Sequence, residues 1–297
     1  MIRPIALISW AAMGCSLVLS SFTAVSASEP TSRPGSRFFG DAEAFIARTW
    51  LNLDRFNDEA EQYWSGGAQL RIGAHLGGGW LVQGDLTGEQ TSIRSDDTFV
   101  RGGSLAGHLA WRNTHSHLLG FFAGALRTDQ DDERGGTSTR HFIGVEGQLY
   151  RQAWTFYGQA GWLDGNGGED MGGVNSIHAA AFGRAVVRYF VDPNLKIEAE
   201  ISGARGTMDF DNDDVRIIGW GIKLERQLLD RTSVSIGYFG NHYDQPQESE
   251  RMTEHVVRVG LKIHFSSGTL FERDRTGASL DTPAFIRWSA QSGGPLE

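Results

Sequence analysis

Residues 257–265 read Val257-Arg258-Val259-Gly260-Leu261-Lys262-Ile263-His264-Phe265. In an extended chain successive side chains point to opposite sides. Val257, Val259, Leu261, Ile263 and Phe265 therefore share one face, and Arg258, Gly260, Lys262 and His264 share the other. A helix could not keep every second residue apolar over such a run. The stretch predicts a strand between an apolar medium and a polar one.

The same alternation recurs upstream. Along 195–202, Leu195, Ile197, Ala199 and Ile201 oppose Lys196, Glu198, Glu200 and Ser202. Along 218–225, Ile218, Trp220, Ile222 and Leu224 oppose Gly219, Gly221, Lys223 and Glu225. Along 143–149, Ile143, Val145 and Leu149 oppose Gly144, Glu146 and Gln148. Two segments resist this treatment: 117–127 is apolar or small on both faces, and 41–53 offers no clear choice of outer face.

The segments are joined in a regular rhythm. Short turns are expected at Gly77-Gly78-Gly79, Asn113 to Ser116, Gln152-Ala153, Asp192-Pro193-Asn194 and Leu228 to Arg231. Longer polar stretches fall between them, at 54–63, 90–97, 129–138, 165–176, 207–214 and 244–254. Strands that cross a bilayer at a tilt need about 9 to 11 residues, and the intervening segments are long enough. The pattern predicts about 12 antiparallel strands, closed up-and-down into an all-β transmembrane barrel over 41–265. A secreted β-propeller also repeats at roughly 40 residues. A blade, however, needs four short strands per repeat, and these repeats divide more naturally into two long ones. A soluble sandwich is the other competitor.

Composition agrees. The 297 residues include 39 Gly, 17 Phe and 9 Trp, but only 7 Pro and 1 Cys. Trp80, Trp111, Tyr150, Trp154 and Tyr189 lie near the short turns, and Trp50, Tyr63, Trp64, Trp162 and Tyr243 near the long loops. Two aromatic belts are expected where a barrel meets the two faces of a bilayer.

Residues 1–27 read as an export signal: Arg3 gives the positive start, Ile5 to Leu19 the apolar stretch, and Val25-Ser26-Ala27 the small residues before a cut. The mature chain is expected to begin at Ser28, with 28–40 as an N-terminal segment. Cleavage would remove the single cysteine, Cys15, and with it any disulfide chemistry. It would also remove the +1 of Arg3, taking the formal net charge from −9 to −10. That sign argues against a nucleic-acid partner. No run of about 18 apolar residues follows the signal, so strands must do any spanning.

In its closing strand the chain resembles bacterial outer-membrane β-barrel proteins, loosely the porin-like family. There the last strand ends in an aromatic after alternating apolar residues, as Val257, Val259, Leu261, Ile263 and Phe265 do here, and the barrel-assembly machinery reads that signal. The departure is that 32 residues follow Phe265. The resemblance implies an outer-membrane location among lipids and lipopolysaccharide, and passive passage or binding of small hydrophilic solutes. A non-conducting surface role, with acidic loops engaging cations, lipopolysaccharide or outside partners, is the alternative.

The face opposite the apolar one collects Glu146, Gln148, Arg184, Arg188, Lys196, Glu198, Glu200, Lys223, Glu225, Arg258 and Lys262 as candidate lumen residues. Across the turn at Pro193, Arg188 stands opposite Glu198, so a cross-strand ion pair is expected. Such charges either neutralise one another in a packed interior or line a selective constriction.

No catalytic constellation is expected. His115-Ser116-His117 is the notable His/Ser cluster, and it sits in a short turn, whereas barrel enzymes of the outer membrane carry theirs on the lipid-facing wall. Asp209-Phe210-Asp211-Asn212-Asp213 spaces its acids like a calcium loop but lacks the Gly at position 6 and the distal Glu. No metal or other cofactor is expected. The tail, 266–297, ends in an apolar stretch containing Pro283, Phe285, Ile286 and Trp288. It is expected either in the periplasm or folded back as a plug.

Overall fold

The computed structural model describes residues 37–53, 61–93, 98–131, 136–166, 177–208, 214–245 and 250–291. The predicted export signal and most of each long loop, including Asp209 to Asp213, lie outside the described residues. Twelve strands follow one another: β1 (Phe38–Leu53), β2 (Glu61–Gly77), β3 (Trp80–Ile93), β4 (Thr98–Asn113), β5 (His117–Asp131), β6 (Gly136–Arg151), β7 (Trp154–Asn166), β8 (Ile177–Asp192), β9 (Leu195–Met208), β10 (Asp214–Leu229), β11 (Thr232–Gln245) and β12 (Glu250–His264). Two short helices come after them, α1 (Leu270–Thr276) and α2 (Phe285–Gln291).

Each strand pairs antiparallel with its neighbours in sequence, and β1 pairs with β12 to close the barrel, from Asp41 opposite His264 to Leu53 opposite Met252. Closure leaves no row of unpaired backbone groups, which is the condition for a sheet to survive in hydrocarbon. The strands run 13 to 17 residues, longer than a crossing requires.

The turns at one rim are tight. Gly77, Gly78 and Gly79 hold φ of 97°, 60° and 86°, a region that side chains strongly disfavour. Trp111 Nε1 donates to the Gly78 carbonyl at 3.0 Å and ties this turn to the next hairpin.

The outer wall is apolar. Ile46, Leu86, Leu105, Leu119, Phe121, Ile143, Val145, Ile201, Ile218, Ile222, Ile236, Val259, Leu261 and Ile263 are all exposed there. An apolar surface of this extent fits a bilayer and would be a liability in water. Trp64, Trp80, Trp154 and Trp162 are exposed near its borders. The aromatic belts need a correction, however. Tyr63, Tyr150 and Tyr243 are only 5%, 1% and 2% exposed, because their strand parity turns them into the barrel.

The two ambiguous segments are also explained. On β1, Asp41, Glu43, Phe45, Ala47, Thr49 and Leu51 are buried inside, and Ile46 is exposed outside. On β5, Leu119 and Phe121 face out while Leu118, Phe122 and Leu126 are buried within. The inner face of β5 is apolar because α2 packs against it: Phe122, Leu126, Phe142, Phe182, Phe285 and Trp288 share one cluster. Burying a ring such as Phe285 or Trp288 contributes about 1.5–3 kcal/mol.

Wall and tail thus have separable roles. Removing residues 254–265 is expected to abolish the folded, heat-modifiable form on a gel, since β1 would lose its partner. Removing 266–297 is expected to preserve that form. Loss of the folded species only on tail removal would show that the wall does not close by itself.

Candidate functional site

The lumen is the site, and the tail occupies it. After β12, Phe265 N donates to the Gly40 carbonyl at 2.9 Å, which ends the wall. The short helix α1 is held by a reciprocal cap: the Thr269 hydroxyl accepts from Glu272 N, and the Glu272 carboxylate accepts from Thr269 N at 2.8 Å. This helix lies across the short-turn rim. Phe271 N donates to the Pro193 carbonyl at 3.0 Å. Arg275 donates to the carbonyls of Gln152 and Trp154, and Arg273 to those of Asp230 and Ser266. From there residues 277–284 run into the barrel, and α2 sits toward the long-loop end.

In the middle of this path most contacts run from wall donors to tail acceptors, while Ser279 Oγ donates to Gln148 Oε1 and Asp281 N to the Tyr157 hydroxyl. Gln148 Nε2 and Arg188 Nη1 donate to the Ser279 carbonyl, each at 2.9 Å. Gln83 Nε2 donates to the Leu280 carbonyl at 2.8 Å and Gln159 Nε2 to the Asp281 carbonyl at 2.7 Å. Arg112 Nη1 donates to the Gly277 carbonyl at 2.9 Å. The Asp281 carboxylate meets Arg71 Nη1 at 2.5 Å and Arg188 Nη2 at 2.6 Å, with Arg184 Nη1 4.0 Å away. Arg188 also meets Glu198 and Asp274, each at 3.0 Å.

The candidate residues divide into two groups. Glu146 and Gln148 are on β6, beneath the tail; Glu146 accepts from Tyr157 at 2.7 Å and lies 2.8 Å from His108 Nδ1. The others line the opposite wall in a chain of ion pairs. Arg184 meets Glu200 at 2.7 Å, Lys196 meets Glu225 at 2.9 Å, and Lys223 meets Glu198 at 3.1 Å. Lys262 bridges Glu43 at 3.1 Å and Glu225 at 3.5 Å, and Arg258 meets Glu43 at 3.4 Å. Val257, Val259, Leu261 and Ile263 lie on the outer face of β12, and Phe265, exposed as well, follows directly after its last residue.

Sequence reasoning missed Asp41, Glu43, Arg71, Asp85, Glu89, His108, Arg112 and Glu254 on the wall, and Asp274, Asp281 and Arg287 on the tail. Arg71 had a signal, since it alternates with Leu70 and Ile72. The tail residues had none. Their role appears only once the tail is inside, where Arg287 meets Glu89 and Glu254.

The tail leans on β4 and β5, through Ile286 above all. Its Cγ2 comes within 2.2 Å of where a Cβ on Gly102 would stand, so only glycine admits it there. Beside the tail, away from β5 to β7, a cavity of about 170 Å³ remains, bordered by Glu43, Glu200, Lys223, Arg258, Asp281 and Arg287. A smaller one of about 40 Å³ lies nearer the short-turn rim, bordered by Lys196, Glu225 and Lys262. Glu198, Lys223 and Asp281 border both. Among the described residues no group of three or more His, Cys, Asp and Glu is placed to hold a metal. Ser116 and His117 do meet at the turn, Oγ to Nδ1 at 2.8 Å.

No family model matches the chain, and no curated protein matches it. Solved structures do. An outer-membrane channel from Pseudomonas putida F1 superposes with a TM-score of 0.63 at 11% identity, over 79% of this chain and 100% of that one. The translocator domain of the autotransporter NalP from Neisseria meningitidis gives 0.45 at 12% identity, over 78% and 89%. The toluene transporter TodX of Pseudomonas putida gives 0.41 at 9%, over 77% and 89%. The first likeness shows a shared fold: this is a barrel of the bacterial outer-membrane type. The other two, at those scores, carry no argument.

Arg188→Leu removes the guanidinium that Glu198, Asp274 and Asp281 share. With Arg188 and Glu198 only 3% and 6% exposed at their side chains, the expected loss is about 3–5 kcal/mol of unfolding free energy. Arg188→Leu with Asp281→Leu should restore part of it. Denaturant unfolding in detergent reads both, and a loss below about 1 kcal/mol would mean that the cluster is wet.

Proposed function

We propose that this protein is an outer-membrane channel for passive passage of small hydrophilic solutes, with its own C-terminal tail as a resident constriction. The observation that carries the reading is the asymmetric seating of the tail. Its helix α2 packs by apolar contact against β4 and β5, and a file bordered by Glu43, Glu198, Glu200, Lys223 and Arg258 is left along β8 to β12 and β1 to β4. Twelve strands fall between the small barrels that side chains can fill and the large ones that leave an open channel. An inserted segment narrows the intermediate lumen while leaving part of the charged wall uncovered. The fold shared with an outer-membrane channel supports the outer-membrane address and this class of role.

The filling of the lumen also favours a second reading, a non-conducting barrel whose work is done by its loops. Single-channel recording separates them. The full mature chain in planar bilayers is expected to give small, stepwise conductance, and the chain lacking 266–297 conductance several-fold larger. If both are folded and silent, the channel reading fails and the surface role stands.

A further inference from the structure

Most of the mid-lumen contacts run from wall donors to tail acceptors, although Asp281 N donates to the Tyr157 hydroxyl and Ser279 Oγ to Gln148 Oε1. The wall brings two guanidiniums and three glutamine amides to one spot, beside the Tyr157 hydroxyl, which donates to Glu146 and accepts from Asp281 N. The tail answers with a carboxylate and the carbonyls of Ser279, Leu280 and Asp281. Each arginine is also pre-set from behind. Arg71 gives Nε and Nη2 to the two oxygens of Asp41, at 3.0 and 2.8 Å, and keeps Nη1 for Asp281. Arg188 gives Nε to Glu198 and keeps Nη2 for Asp281. Forks fixed in this way recognise a carboxylate with little reorganisation. Gln83 is pre-set too, by Asp85 Oδ1 at 2.7 Å.

We propose that this cluster of Arg71, Arg188, Gln83, Gln148, Gln159 and Tyr157 is a binding site for small carboxylates that carry a neighbouring carbonyl or hydroxyl acceptor. Asp281 and the backbone around it are its built-in occupant. The inference rests on the channel reading, since a solute must enter the lumen. The approach is visible: Asp281 borders the cavities on both sides, so a carboxylate in the file meets the site as Asp281 leaves it. The tail then acts as a competing ligand tethered at α1, and passage of a carboxylate amounts to exchange with it.

Calorimetry on the folded, detergent-purified full chain tests this, with malate as probe and with glycerol and inorganic phosphate as comparisons. Asp281→Ala is expected to bind malate about tenfold or more tightly than the unaltered chain, the scale of a charge-assisted contact. Adding Arg188→Gln should abolish that gain. Equal malate affinity in the two chains, or tighter binding of phosphate or glycerol than of malate, would overturn the assignment. If Asp281→Ala fails to give the heat-modifiable form, the unaltered residue answers through Ala278→Cys. Malate, and not glycerol, is then expected to speed maleimide labelling at 278 by displacing the tail, and no change would overturn the proposal. A barrel that binds malate but does not conduct would keep the site and sink the channel. A conducting Asp281→Ala barrel without malate binding would do the reverse.

Discussion

Hydrocarbon offers the backbone no hydrogen-bonding partner, so every strand in the wall must be paired on both sides. Much of this architecture follows from that constraint. The β1–β12 pairing meets it, and it is why an apolar face runs around the outside. It also sets the inner problem: a ring of twelve strands is wider than the ring of about eight whose interior side chains just fill. The tail supplies the missing matter. Phe285 and Trp288 join an apolar cluster drawn from β1, β2 and β4 to β12, and the polar stretch around Asp281 meets the charged part of the lumen.

The lumen resolves its charges by pairing them. A buried ion left alone is costly, and removing one partner exposes the other. Glu198 is contacted by Arg188, Lys196 and Lys223, and Glu43 by Arg258 and Lys262. These shared contacts tie together long side chains from neighbouring strands. The same pairing holds the arginines in position for Asp281, so wall stability and ligand recognition draw on one network.

Legibility in the sequence followed from how many constraints acted on each strand. β9, β10 and β12 separate lipid from a polar lumen, so alternation alone identifies both faces, and the register across Pro193 sets Arg188 against Glu198. On β5 the inner face meets Phe285 and Trp288, so the polarity contrast that alternation depends on is absent. Tyr63, Tyr150 and Tyr243 lie near the rims in sequence, but parity, not nearness to a turn, decides which way a ring points. The tail was legible only as a choice between two places. Nothing in its composition distinguishes an apolar stretch that packs on a barrel's inner wall from one that lies outside it. Asp281 could not be singled out, because its partners lie some 90 to 210 residues away along the chain.

The central claim is that the tail resides inside the wall, and its closest contact permits a direct measurement. A Cβ built on Gly102 would lie 3.4 Å from that of Ile286, near the separation of about 3.5–4.5 Å that a disulfide spans. The chain's single cysteine, Cys15, lies in the predicted leader. A chain carrying both Gly102→Cys and Ile286→Cys is therefore expected to crosslink in the membrane when a mild oxidant such as diamide takes up the two electrons, read by mass spectrometry of the proteolysed barrel. Two free thiols, both labelled by a hydrophilic maleimide in the folded protein, would place the tail outside the lumen and contradict the account.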